Sequence, residues 1–144
     1  MIEAVIAQLK AEVPFLQGRV EGALDLANLI NTRKLSPYGT IAHVIPLTLR
    51  GGAPDAATGI FRQSFDKSIS VLISIRTNDR NGKKALADLD PNLRAIIDAI
   101  AGWAPNDEVG VFRLVSGRVV SMTHGAFIYQ IDFAIQDQLR IANA

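Results

Sequence analysis

The alternation of apolar and polar residues is most regular near the C-terminus, in the run Gly125–Leu139. Successive side chains of a strand point to opposite sides of a sheet. One side of this run therefore carries five large apolar residues, Phe127, Tyr129, Ile131, Phe133 and Ile135. Burial of each such side chain contributes roughly 1.5–3 kcal/mol. The pattern predicts a strand that packs against the core by its odd-numbered side.

The even-numbered side of the same strand is polar. It carries Gln130, Asp132, Ala134 and Gln136, without a histidine, cysteine or lysine. This composition indicates contact rather than chemistry. We expect Gln130, Asp132 and Gln136 to face outward into solvent.

Helical spacing marks the start of the chain. A helix is predicted over residues 2–13, and Pro14 ends it. Its apolar positions are Ile2, Val5, Ile6, Leu9 and Val13. Residues 19–23 suit a short strand, and Asp25 suits the N-cap of a further helix that runs to about Arg33.

Strands and turns dominate the next part of the chain. The turn sequence SPYG at Ser36–Gly39 precedes a predicted strand over Thr40–Leu49, in which Pro46 indicates an edge position or a bulge. The small residues of Gly51–Gly59 predict a loop. Ser68–Ile75 alternates serine or leucine with isoleucine or valine and predicts another strand.

A pair of helices is predicted in the following segment. Thr77–Gly82 is a polar connection, and Lys83–Leu89 has helical composition. Asp90-Pro91 supplies an N-cap and a first-turn proline for a second helix, which Gly102 ends. The apolar stripe of that helix is Leu93, Ile96, Ile97 and Ile100.

The last elements are predicted to be three strands. Glu108–Val115 and Arg118–Thr123 are apolar, and Ser116-Gly117 between them is a short hairpin signal. The strand predicted in the run Gly125–Leu139 follows a kink at His124-Gly125. The order of elements predicts an α+β fold, with a single mixed, mostly antiparallel sheet flanked by helices that cover its apolar side.

Length and composition limit the classes of protein. The chain of 144 residues is 49% hydrophobic and 20% charged, which predicts one ordered domain over residues 1–144. A formal net charge of +1 gives no electrostatic basis for binding nucleic acid or an anionic membrane. The absence of cysteine excludes disulfides and thiolate chemistry.

Targeting signals are missing from the sequence. The N-terminus lacks the basic start and continuous apolar stretch of a signal peptide, and no apolar run reaches the ~18–20 residues that span a bilayer. These features predict a soluble protein made in a cytoplasm.

His43 and His124 are the only histidines. Together with a carboxylate such as Asp132 they form a conceivable metal site, but no ligand spacing supports it. Neutral histidines with one bonded nitrogen are common in half-buried strands, and we favour that interpretation. No metal site is predicted.

Other catalytic motifs are absent from the sequence. No G-x-S-x-G surrounds a serine. Gly82-Lys83 is not a phosphate loop, because Thr77 stands at the leading glycine position and Lys84 replaces the serine or threonine. Paired carboxylates occur at Asp88/Asp90 and Asp107/Glu108, but Asp90 suits a helix cap and Asp107/Glu108 a solvated loop. We therefore predict neither enzymatic activity nor a cofactor.

Two further features have alternative interpretations. The basic cluster of Arg76, Arg80, Lys83 and Lys84 suits a solvated loop tip, and contact with an acidic partner is the alternative. Trp103 is either an interface anchor or a seal over the end of the preceding helix.

Blocks along nearly the whole chain resemble the tail terminator proteins of Mu-like and related long-tailed bacteriophages. The blocks are the opening MIEAVIAQLKAEVPFLQGRVEGALDLANLI, then GTIAHVIPLTLRGG, GIFRQSFDKSISVLISIR, IIDAIAGWAP and HGAFIYQIDFAIQDQLRI. The resemblance implies a structural protein of the virion, with a sheet flanked by helices and no catalytic residues. It also implies a ring, usually a hexamer, at the head-proximal end of the tail.

Such a ring implies particular partners. The resemblance implies that the ring stops polymerisation of the major tail tube protein, joins the tail to the head-tail connector and is assembled in the bacterial cytoplasm. Loops that leave long strands are the candidates for these contacts. We expect Arg50, Asp55 and Arg62 to flank one contact surface, and Arg76 and Arg80 another. In a ring, Gln130, Asp132 and Gln136 are candidates for contact with a neighbouring subunit, and solvation is the default.

Two alternatives remain open from the sequence. One is another head-tail connector or completion protein of similar size. The other is a small α+β enzyme or ligand-binding domain, which requires a pocket of convergent polar groups.

Overall fold

The computed structural model describes residues 1–23, 40–55, 59–76, 83–105, 110–123 and 126–142. Within them the helices are α1 (Ile2–Glu12) and α2 (Lys83–Ile100), with a 3₁₀ turn at Pro14–Leu16. The strands are β1 (Val20–Gly22), β2 (Thr40–Asp55), β3 (Ile60–Arg76), β4 (Arg113–Thr123) and β5 (Ala126–Ala142).

The strands form one five-stranded sheet in the order β1-β2-β3-β5-β4. β1 and β2 are parallel, and every other neighbouring pair is antiparallel. The prediction of an α+β fold with a single mixed, mostly antiparallel sheet is confirmed.

One side of the sheet, called here the helix-facing side, forms the apolar core with α1 and α2. Val5 and Leu9 of α1 and Ile96 and Ile100 of α2 are fully buried in this core. The sheet supplies Ala42, Val44, Ile69, Val71, Ile73, Ile75, Phe127, Ile131, Phe133 and Ile135. The side-chain amide of Gln8 donates a hydrogen bond to the carbonyl of Ala99 at 3.1 Å, which joins the two helices. The alternation predicted for β5 is confirmed.

β3 and β5 pair along their whole length, from Ile60 opposite Ala142 to Arg76 opposite Ala126, without a register shift. Each strand has 17 residues and spans about 55 Å. Typical strands have about 5–6 residues. The pair is therefore much longer than the helices can cover.

The predicted loop at Gly51–Gly59 is wrong for its first half, because β2 continues to Asp55. Gly51 pairs with Phe65 and Asp55 with Arg62, across a register shift between Gly51 and Pro54. A Cβ at Gly52 would lie 3.0 Å from the carbonyl oxygen of Ser64. The glycine thus marks a close approach of two strands. Pro46 does adjoin a register shift, as predicted for a bulge.

The predicted helix boundary at Asp90-Pro91 is also wrong, because α2 runs through Pro91 without ending. Proline cannot donate to the carbonyl four residues earlier, that of Ala87. Both Ala87 and Pro91 are exposed, so this part of the helix borders water. The predicted end at Gly102 is confirmed: its φ is 78°, and its N–H donates to the carbonyl of Phe112 at 2.8 Å.

The hairpin predicted at Ser116-Gly117 does not form, because both residues lie inside the continuous strand β4. A Cβ at Gly117 would lie 2.9 Å from the hydroxyl oxygen of Tyr129. Gly117 makes room for the Tyr129 ring on the neighbouring strand. Here glycine marks close packing rather than a turn.

Trp103 seals the end of α2. Its ring stacks on Phe112 with centroids 6.1 Å apart, and it packs against the buried core. The predicted helix at residues 25–33, the SPYG turn, the connection Thr77–Gly82 and the kink at His124-Gly125 lie outside the described residues.

Candidate protein interfaces

The three longest strands continue beyond the part of the sheet that the helices cover. We call residues 47–55 of β2, 60–66 of β3 and 136–142 of β5 the sheet extension. Every residue of its β2 segment is exposed. An extension of this kind buries little apolar surface within its own chain, so its side chains are available for contacts with other molecules.

One side of the sheet extension, its polar side, is charged. Arg50 lies opposite Asp66, which lies opposite Gln136. One further row places Asp55, Arg62 and Arg140 side by side. This surface thus contains four of the interface candidates predicted from the sequence, namely Arg50, Asp55, Arg62 and Gln136. Asp66 and Arg140, which the sequence did not single out, join them through strand register.

The other side of the sheet extension, its apolar side, continues the helix-facing side. Leu49, Phe61, Phe65, Leu139 and Ile141 lie on it. Leu49 is 72% exposed. The Lys67 ammonium lies 3.1 Å from the Asp137 carboxylate and 5.8 Å from the centre of the Phe65 ring. This side therefore combines exposed apolar groups with one closed ion pair.

Arg76 is exposed at the opposite end of β3. Fourteen residues separate it from Arg62, which corresponds to about 45 Å along the strand. The second predicted contact surface is therefore remote from the first. Arg80 lies outside the described residues.

The prediction that Gln130 and Asp132 face outward is wrong. Gln130 is only 9% exposed and Asp132 only 6%. Ser70 Oγ donates to Asp132 Oδ1 at 2.9 Å, and Gln130 Nε2 donates to the same oxygen at 2.8 Å. Gln136, in the sheet extension, does face outward.

The carboxylate of Asp132 also contacts two residues of β4. Ser116 Oγ donates to Oδ2 at 3.4 Å, and Arg118 Nη1 lies 3.6 Å from the same oxygen. Buried carboxylates are tolerated where hydrogen bonds and an opposite charge satisfy them. The polar side of β5 thus serves to join β3, β5 and β4 within the chain.

His43 is fully buried in β2, on the side of the sheet that carries Asp132. Its Nε2 lies 3.3 Å from Glu21 Oε2 on the adjacent strand β1. The position in a strand agrees with the preferred interpretation, but the side chain is fully buried rather than half-buried. His124 lies outside the described residues, and among the described ones no three metal-ligating side chains come together.

A feature that the sequence analysis missed is the apolar surface of β4. Leu114, Val115, Val119, Val120 and Met122 are all large, apolar and about half exposed or more. β4 is an edge strand, with β5 as its neighbour. The sequence signal for this surface was the consecutive apolar residues Leu114-Val115 and Val119-Val120. They break the apolar-polar alternation expected of a strand with one solvent-exposed side.

The described helices are too short or too polar to cross a membrane. The surfaces described above consist of exposed strand residues, with charges on one side of the sheet extension and apolar groups on the other.

The comparison with protein families agrees with these observations. The family model described as phage tail terminator protein matches residues 1–144, the whole chain. Among curated proteins, none matches. The family is one of structural proteins of the phage tail. The chain therefore belongs to the phage tail terminator family.

Proposed function

We propose that this protein forms a closed ring, a hexamer, on the head-proximal end of the phage tail tube. The ring ends polymerisation of the tube and provides the surface that joins the tail to the head. Membership in the terminator family supports the role in the tail. The observation that carries the finer proposal is the sheet extension, which projects beyond the core with side chains exposed on both sides.

A closed ring requires contacts of two kinds. Each subunit contacts its neighbours through two different patches, because a head-to-tail interface joins unlike surfaces. The ring must also bind a different protein above and below it. The protomer offers surfaces for both purposes, since the sheet extension and the Arg76 end of β3 lie about 45 Å apart.

The polar side of the sheet extension is the surface that we assign to an axial partner. Arg50, Arg62 and Arg140 present guanidinium groups there beside Asp55 and Asp66. A mixed set of charges favours a specific protein surface, because each charge selects its opposite and rejects its like. The partners in question are the major tail tube protein and the head-tail connector protein.

The proposed role needs neither catalysis nor a cofactor. It places the protein in the virion, after assembly in the bacterial cytoplasm. The polar groups that the structure brings together at Asp132 bond one another across three strands, which is a structural use of such groups.

The experiment is a phage that lacks this protein, complemented with the wild-type chain or with variants. Without the protein we expect tails of irregular, extended length that fail to join heads. Removal of residues 53–58, which deletes the end of β2, should give the same result while the purified variant remains folded. Tails of wild-type length joined to heads in the phage that lacks the protein would overturn the proposal.

Imaging separates this function from that of another connector protein. Negative-stain images of tails that have not joined heads should show the protein as a six-fold ring on the tube end. A protein found on the portal side of isolated heads, and not on isolated tails, would instead be a head completion protein.

A further inference from the structure

Two apolar surfaces of the protomer lie on the same side of the sheet without covering each other. One is the exposed set on β4, in which Leu114, Val119 and Met122 lie opposite residues of the helix-facing side of β5, next to the exposed bulge residues Val115 and Val120. The other is the apolar side of the sheet extension, with Leu49, Leu139 and Ile141 as its most exposed members. We propose that the apolar side of the extension in one subunit packs against β4 of the next subunit in the ring. This inference rests on the proposed function.

Strand geometry prevents the two surfaces from meeting within one chain. β4 pairs with β5 only between Ala126 and Ala134. The extension begins beyond that point: Leu114 of β4 lies opposite Phe133, which is six residues, or about 20 Å, from Leu139 on β5. Leu49 is three strands away from β4, which is about 14 Å across the sheet. A contact between these surfaces therefore requires a second copy.

Two bulges enlarge the apolar surface of β4. The pairing with β5 skips Val115 between Leu114 and Ser116, and skips Val120 between Val119 and Ser121. Each bulge inserts an extra apolar side chain into the edge strand. β4 therefore carries more exposed apolar side chains than a strand with regular alternation would.

The charges around the two surfaces favour their contact. On β4, Arg113 and Arg118 belong to the opposite side of the sheet, where they pair with Asp66 and Asp132. On the apolar side of the extension, the described charged residues are Lys67 and Asp137, which pair with each other at 3.1 Å. Among the residues that the structure describes, neither surface brings an unpaired charge into the contact, so association avoids the main cost of burying ions.

The exposed area suits an interface of ordinary size. The five β4 residues expose on the order of 450 Å², and the extension offers a similar amount when half-buried Phe61 and Phe65 are included. Together this is about the non-polar share of a standard interface of about 1,600 Å².

A second copy explains both surfaces at once. Every subunit carries one β4 surface and one apolar side of the extension, so a closed head-to-tail ring covers all of these surfaces. The contact also leaves the polar side of the extension and the Arg76 end of β3 for the axial partners. A different protein bound to β4 alone would leave the apolar side of the extension uncovered.

The chain contains no cysteine, so introduced cysteines are unique cross-linking sites. Met122→Cys marks β4 and Leu139→Cys marks the extension. The two variants, with different tags, are produced together in cells infected by phage that lacks the natural protein, and the tails are purified. A bismaleimide that spans about 10 Å is then added, because side chains across a packed interface lie within that reach. The matched control replaces Met122→Cys with Ala7→Cys, an exposed position on α1.

We expect a covalent dimer that contains both tags, about tenfold more abundant than with the Ala7→Cys control. The double variant M122C/L139C should give a ladder of products that ends at the ring. A mixed dimer no more abundant than the control would overturn the inference, as would strong cross-linking of M122C alone, which indicates a symmetric contact between two β4 strands.

Tail length in the same samples separates the two hypotheses. If tails end normally only when the protein is present, and the mixed dimer is absent, then the interface is wrong while the proposed function stands. If tail length does not depend on the protein at all, the proposed function itself fails.

Discussion

Ser70 and Asp132 face each other across the β3–β5 pair, and the Ser70 hydroxyl donates a 2.9 Å hydrogen bond to the Asp132 carboxylate. The same carboxylate accepts from Gln130 and Ser116, so that three strands share one acceptor. Because the carboxylate is buried, water cannot readily replace a lost hydrogen bond. Each buried donor left without an acceptor therefore costs free energy. The cluster stabilises the sheet on the side away from the core.

Replacing Asp132 with alanine should lower the free energy of unfolding by about 2–4 kcal/mol, since it leaves two or more buried donors without an acceptor. Asp132→Asn keeps one carbonyl oxygen and should cost less. Urea denaturation followed by circular dichroism measures the difference. Asp98→Ala, which removes an exposed pair with Arg94 on α2, is the control and should change stability by less than about 0.5 kcal/mol. Equal effects of D132A and D98A would contradict this account.

Gly117→Ala should destabilise the protein by about 1–3 kcal/mol, because the new Cβ would lie 2.9 Å from Tyr129 Oη and 3.0 Å from Cε1. The ring of Tyr129 is held by stacking on Phe127, with centroids 6.5 Å apart, so it cannot move away without loss of packing. Thermal unfolding measures the effect.

The matched control for this change is Gly22→Ala in β1. A Cβ at Gly22 would meet only Ile6 Cδ1, at 4.0 Å, which is an ordinary contact. We expect G22A to be neutral or to stabilise by up to about 1 kcal/mol through the unfolded state. If G117A is as mild as G22A, the proposed close approach to Tyr129 has no energetic consequence.

Gly102→Ala should cost about 1 kcal/mol, because the residue ends α2 with a φ of 78°, which alanine adopts poorly. No neighbouring atom lies within 4 Å of the added Cβ, so the cost comes from the backbone and not from a clash. Gly102→Asn should therefore be milder, since asparagine tolerates this conformation. A ranking with G102N below G102A in stability would argue against a backbone origin.

Pro91→Ala should raise the free energy of unfolding by about 1–2 kcal/mol. The substitution restores the N–H that bonds the carbonyl four residues earlier in α2 and removes the ring that crowds it. Part of the gain is offset because alanine is freer than proline in the unfolded chain. Denaturant titration provides the measurement, and a destabilised P91A would show that the proline has a favourable role in this helix.

Reversing two charges on the polar side of the extension tests its assignment to an axial partner. Arg50→Glu together with Arg62→Glu should leave the thermal midpoint nearly unchanged, because both side chains are exposed. In the complemented phage, however, we expect tails of abnormal length or tails that do not join heads. Lys10→Glu, an exposed reversal on α1, is the control. Normal tails with both variants would remove this surface from consideration.

The sequence pattern correctly predicted those elements that depend mainly on residues close together in the chain. The first helix, the alternation of β3 and β5, the bulge near Pro46 and the helix end at Gly102 all follow from spacing or from the backbone preference of one residue. Each of these features depends on residues within a few positions of one another.

The wrong predictions share a cause. Glycines at 51, 52 and 117 suggested a loop and a hairpin, yet they lie in strands, because a neighbouring strand supplies the partners. Strand pairing is a long-range interaction, and it overrides weak local preferences for a turn. In the same way, α2 continues through Pro91 as part of a helix whose buried stripe packs on the core.

The candidate site was predictable in part. Arg50, Asp55, Arg62 and Gln136 were identified as contact residues, and register places them on one surface. The shared surface of Arg50, Asp55 and Arg62 was predicted, but the addition of Gln136 was not, since it depends on which residues of three separate strands lie opposite one another. The apolar surface of β4 went unnoticed for a similar reason: exposure of an apolar residue depends on what covers it.

The sequence by itself determined the fold class, the odd-numbered buried side of β5 and the family to which the chain belongs, because periodicity and composition are properties of the chain alone. Only the tertiary structure decided that Gln130 and Asp132 are buried while Gln136, on the same side of the same strand, is exposed. Alternation specifies the side of a sheet to which a residue points. Whether a residue on that side is buried depends on its neighbours from other strands: Ser70, Ser116 and Arg118 surround Asp132, whereas Gln136 lies in the sheet extension.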